Sequence, residues 1–188
     1  AIVLGSVTLG SATTIDTNAT NTTGDITIAA IASTGGSHNL TLSTGNNIND
    51  ADITVSGAIS GLGNLTLADV GGTAIFSNNV AAAALTANNT VANIIFTGST
   101  NTFSAASTFA NDGTLTLGNA AGDTFTFNGG VTETTTGTVT LASAISSSND
   151  AIVFGAVTLG SNTVVDTNAT DTTGDITIGA VTGGSNSL

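Results

Sequence analysis

The stretch DTNATDTTGD at residues 166–175 carries a side-chain oxygen on eight of its ten residues, and a near-copy, DTNATNTTGD, stands at 16–25. Carboxylates and amide carbonyls at alternate positions are the donors that hard cations take. Asp166, Asn168, Asp171 and Asp175 are therefore candidate ligands for calcium, the one cofactor the sequence suggests. GNNINDAD (45–52) offers a smaller set in Asn49, Asp50 and Asp52. Neither stretch follows the EF-hand loop or the GGxGxD nonapeptide. The first copy also has Asn21 where the second has Asp171. The competing use of these residues is a corner in which Asp and Asn side chains bond their own backbone. The pattern favours the corner.

Two other chemistries have residues to draw on. The sequons N-x-S/T at Asn18, Asn21, Asn39, Asn64, Asn88 and Asn168 are candidate glycosylation sites, as expected by chance in so Asn- and Thr-rich a chain. Acid–base catalysis has one Glu (Glu133), scattered Asp residues and the single His38 in GGSHNLTL. No Lys or Arg is present to stabilise developing negative charge, and no GxSxG elbow surrounds a serine. The second copy of the His38 region reads GGSNSL, without the histidine. The sequence predicts no enzyme.

Composition narrows the partners. Lys+Arg is zero and Asp+Glu is 12 in 188 residues, a formal net charge of −12. Such a chain cannot neutralise phosphates, which excludes nucleic acid, and it is repelled by anionic lipid surfaces. No apolar run reaches the roughly 18 residues of a membrane span, so no membrane insertion is expected. At 40 % hydrophobic the chain has too much to bury to remain disordered, and without cysteine it has no disulfides. Stability must come from apolar burial and backbone hydrogen bonds.

These residues have to be held by elements, and the elements repeat. Residues 1–31 align without gaps to 151–181, with 23 of 31 positions identical. Residues 1–150 thus form one full long repeat and 151–188 begin the next copy, continuous with the first. Both ends fall inside the pattern, which predicts a window cut from a longer protein. Within the repeat a polar residue followed by apolar-Thr-apolar recurs: GDITI (24–28), HNLTL (38–42), ADITV (51–55), GNLTL (63–67), GTLTL (113–117), GDTFTF (122–127), GTVTL (137–141) and GDITI (174–178). Alternation of this kind is a strand with its aliphatics on one face. Only VAAAALTA (80–87) has a helix-friendly composition.

Many short strands between Gly, Asn, Asp and Ser turns fit either a solenoid or a sandwich. The absence of Pro, Trp and Tyr and the small β-branched apolar residues favour an all-β parallel β-solenoid of roughly 20–25 residues per coil. Tandem β-sandwich modules are the alternative. About 6–7 coils would make one long repeat, roughly 30–35 Å of rod at the strand spacing.

The GNLTL, GTLTL and GTVTL coils within a long tandem repeat resemble large bacterial surface proteins, in particular filamentous-haemagglutinin-like adhesins and autotransporter passenger domains. The resemblance implies a right-handed parallel β-helix, secreted or displayed at a bacterial cell surface, serving as a stalk, fibre or adhesin shaft. It carries over no site residues. The expected partners are neighbouring repeats, or identical subunits stacked end to end, with any host or surface ligand unspecified. The alternative function is a surface-binding module that is calcium-bridged or takes glycan or ice.

Overall fold

The computed structural model describes residues 1–18, 24–45 and 50–188. Among these residues there is no helix, and twenty-one strands join in a single parallel sheet that winds on itself as a β-solenoid. VAAAALTA, helical by composition, is the strand Val80–Ala87, with Ala82, Ala84, Leu85 and Ala87 buried. Its register on the coil below, Leu65↔Leu85 to Leu67↔Ala87, overrides the local preference of alanine.

The strands fall into three columns, so the solenoid is a three-sided prism. Face A runs through residues 2–4, 26–28, 53–55, 74–76, 94–96, 115–117, 139–141, 157–159 and 181–182. Face B follows through 6–9, 30–33, 59–62, 80–82, 102–103, 124–127, 144–147 and 165–166. Face C completes each coil through 13–16, 40–43, 65–68, 85–87, 107–109, 131–133, 152–154 and 176–178. Coil lengths range from 18 residues (Val139↔Val157) to 28 (Ile31↔Ile59), bracketing the expected 20–25.

Every apolar-Thr-apolar motif lies in a strand, and in all but the last, at 176–178, its apolar side chains are buried. Ile26 and Ile28 stack under Ile53 and Val55, and Leu115 and Leu117 under Val139 and Leu141. The outward threonines stack as well: Thr14, Thr41, Thr66, Thr86, Thr108 and Thr132 form one file up face C, followed by Val153 and Thr177.

The glycine that opens GTLTL and GTVTL is required by close approach at the corner before face A. A β-carbon at Gly137 would lie 2.1 Å from the Gly113 carbonyl oxygen, and one at Gly113 would lie 2.6 Å from that of Ala92. The corner therefore stacks backbone directly on backbone.

The seven phenylalanines, thinly spread in sequence, are all buried, and six of them meet in the middle of the rod. Phe76 stacks on Phe96 at 4.7 Å and Phe103 on Phe127 at 5.1 Å, while Phe109 and Phe125 approach Phe96 edge-on. Their thin spacing along the chain hides this aromatic core, because it is assembled from all three faces. Phe96→Ala should cost about 3–5 kcal/mol and Gly137→Ala about 1–3 kcal/mol. Thr132→Ala on the solvated file should stay within about 0.5 kcal/mol. Urea titrations of the three variants check the order.

Candidate functional site

Many of the polar residues that could contribute to a binding or catalytic site are engaged by neighbouring coils. The residue before each strand motif is often Asp or Asn, and its side-chain oxygen accepts the backbone N–H of the residue stacked above it. Asp52 accepts from Thr73 at 2.7 Å and Asp25 from Asp52 at 3.0 Å. Asn39 accepts from Asn64 at 2.8 Å, Asn79 from Thr100 at 3.0 Å and Asn93 from Thr114 at 2.9 Å. These side chains carry the parallel ladder around corners where the backbone carbonyl has turned away. The polar position of the motif is thus a coil-to-coil bond, a use that the sequence pattern marked without revealing.

The loop 166–175 is closed on itself. Asp166 accepts the backbone N–H of Asn168 at 2.8 Å, and Asn168 holds a positive φ of 49°. The Thr167 hydroxyl donates to the Gly174 carbonyl at 2.8 Å, pinning the base of the loop. Asn168 donates from Nδ2 to the Ser147 carbonyl of the coil below at 2.9 Å. Asp171 accepts from both the backbone N–H and the hydroxyl of Thr173, at 2.9 and 2.7 Å. Asp175 is exposed, and its backbone carbonyl accepts the Ile152 N–H at 2.9 Å.

The first copy repeats the base of the loop: Asn18 donates to Asp16 at 2.7 Å, and Thr17 to the Gly24 carbonyl at 2.7 Å. Asn21, the counterpart of Asp171, lies outside the described residues, as does Asn49 of the second candidate set. Of that set, Asp50 is exposed with a φ of 84°, and Asp52 belongs to the ladder above. Among the described residues no group of three or more His, Cys, Asp or Glu is placed to hold a metal ion.

Of the sequon asparagines within the described residues, Asn18, Asn39, Asn64, Asn88 and Asn168 are all exposed. The Asn88 side chain closes a turn onto the Thr90 N–H at 3.1 Å. His38 is half-buried at the corner before face C. Its Nε2 lies 3.2 Å from the Thr34 carbonyl oxygen, and its backbone N–H donates to Ser33 Oγ at 3.0 Å.

Glu133 occupies an inward position of face C and is only 3 % exposed. Its carboxylate turns to the corner, accepting the Gly155 N–H of the coil above at 2.9 Å and the Thr135 N–H beside it. Thr135 in turn donates to Asn111, whose Nδ2 bonds the carbonyls of Ala92 and Thr114 at 3.0 Å each. This buried chain ties successive coils together, and no buried side-chain polar atom among the described residues lacks a partner.

No family model matches the chain, and no curated protein or solved structure matches it either. Geometry alone therefore carries the functional reading.

Two consequences are measurable. Glu133→Ala strands two backbone donors and should cost about 1–3 kcal/mol in a urea titration, whereas Glu133→Gln keeps an acceptor and should cost less. The Thr173 hydroxyl and N–H, with a side-chain bond from Asn149, hold the Asp171 carboxyl below its ordinary value of 3.8. Because the folded value lies below the unfolded one, the carboxylate's contribution is complete above the ordinary range. It is lost as pH falls through the lowered value. Carbon-13 NMR of the Asp171 carboxyl should show a midpoint below 3.8, and Thr173→Ala should raise it.

Proposed function

We propose that the chain is a segment of a structural shaft in a giant secreted or cell-surface fibre, stalk or adhesin of bacterial type, akin to the filamentous-haemagglutinin-like proteins its motifs resemble. The observation carrying this reading is where the polar groups are spent. From residue 2 to residue 182 every face continues as a parallel ladder, and the Asp and Asn side chains at its corners extend that ladder. A coil that bonds only the coils above and below can be added in tandem at no loss to the rest, as in other one-dimensional repeat architectures. Stiffness then comes from hydrogen bonds and stacked aliphatics, with no ion pairs between side chains of opposite charge.

In this role the protein has no catalytic centre, and its partners are neighbouring repeats or identical subunits meeting end to end. Electron microscopy of chains carrying one, two and three copies of the repeat tests the proposal. Rods of constant width should lengthen by about 32 Å per copy at the strand spacing. Beads of unchanged width joined by thin linkers would contradict it.

A second reading, a surface-binding module, draws on the exposed loop 166–175 and on the threonine file of face C. That file is a single side chain wide, which leaves an ordered ligand no second row to rest on. Calcium supplies the discriminating measurement. A melting midpoint within about 1 °C in millimolar calcium and in chelator agrees with the shaft. A rise of about 5 °C or more with calcium would favour the binding module.

A further inference from the structure

The two sequence copies do not stand on the same faces. Residues 2–4, 6–9 and 13–16 occupy faces A, B and C, whereas their counterparts 152–154, 157–159 and 165–166 occupy C, A and B. The next strands agree: 26–28 lies on A and 176–178 on C.

Each copy nevertheless builds the same coil. Ile2↔Ile26 becomes Ile152↔Ile176, and Val7↔Ile31 becomes Val157↔Val181. The Ile2 N–H reaches the Asp25 carbonyl at 2.7 Å, and that of Ile152 reaches Asp175 at 2.9 Å. Asn18 and Asn168 hold φ angles of 43° and 49° in loops pinned by equivalent threonines. What changes is only the side of the prism. From face A of the first coil to face C of the seventh, 150 residues span six whole coils and two faces.

The physical reason is that a coil is specified by what lies beneath it and not by which face it starts on. All three faces are parallel strands with apolar residues inside, so a unit that stacks well on one stacks well on another. Whole-coil repeats are favoured only where a face carries something the others lack.

We propose that tandem copies of this repeat climb the shaft as a three-fold screw. Each copy is set back by one face, and the pattern returns to register after three copies and twenty coils, about 96 Å at the strand spacing. This rests on the shaft reading and specifies its surface. The loop 16–25 leaves the corner between C and A, and the loop 166–175 leaves the corner between B and C. A third copy places its loop between A and B. The corners that carry the acidic, amide-rich stretches therefore turn through three directions in succession, about 32 Å apart along the axis. The threonine file of face C is broken at Val153, where the second copy begins. Such a shaft is met alike from every side by a ligand or a neighbouring fibre, and it offers no single continuous face to a flat lattice.

The chain has no cysteine, so introduced pairs are unambiguous. Outward residues in register on neighbouring parallel strands lie within disulfide reach. Thr132→Cys with Val153→Cys tests the shifted register, because Thr132↔Val153 are partners on face C. Thr140→Cys with Val153→Cys tests a whole-coil register, and Thr140→Cys with Thr158→Cys is the control on face A. Intact mass after mild oxidation and alkylation should show the first pair and the control closing at least about tenfold faster than the second pair. Faster closure of the second pair, or failure of the first while the control closes, would overturn the screw and leave the shaft standing. Failure of the control would overturn the solenoid itself, and the screw with it.

Discussion

In this chain a hydrogen-bonding group is satisfied by the coil below, the coil above or a neutral neighbour, because the sequence holds no Lys or Arg to do it. That constraint shapes the whole molecule. Each carboxylate or amide near the core must be met by N–H or hydroxyl donors, and the corners are where they are found. Asp25 and Asp52 take the next coil's amides, Glu133 takes Gly155 from above, and buried Asp123 takes the Asn119 and Ala120 amides at 2.8 and 3.1 Å. Neutral donors suffice because a carboxylate accepting backbone N–H bonds is stabilised without a counter-charge. Stability is thereby shared among many short-range bonds of one kind.

The same constraint bears on the described residues, where no group of three or more His, Cys, Asp or Glu is placed to hold a metal ion. A site needs groups that neighbouring coils have not already claimed, and the loop 166–175 spends Asp166, Thr167 and Asp171 on closing itself. Interchangeable faces are the other side of this economy. Three walls of equal chemistry let a repeat rotate relative to the prism without breaking its internal contacts. In the proposed shaft, function lies in length, stiffness and the spacing of what is displayed.

The architecture was legible because its signals are local. Alternation of aliphatic and Thr marks a strand, the 31-residue match marks the long repeat, and the small apolar residues mark a narrow core. The face of each strand was not legible, since it depends on how many residues each corner absorbs. Corners range from the single residue Gly5 between Leu4 and Ser6 to the longer loop between Asp166 and Ile176. The phenylalanine cluster was hidden for the same reason: Phe76, Phe103 and Phe109 come from three different faces and meet only when the coil closes. Glu133 gave no signal either. As the sole Glu in the chain, its importance comes from an inward position that local pattern alone would assign to an aliphatic. The loop 166–175 was partly readable. Asx chemistry was evident in its composition, but the Thr167 to Gly174 bond that pins it spans seven residues and follows no short-range rule.

The central claim is that strands stack along one axis, with the rod growing in the hydrogen-bonding direction. X-ray diffraction from aligned rods tests this most directly. The strand spacing of about 4.8 Å should appear on the meridian, parallel to the rod. The same reflection on the equator, as modules with strands running along the fibre would give, would contradict the account.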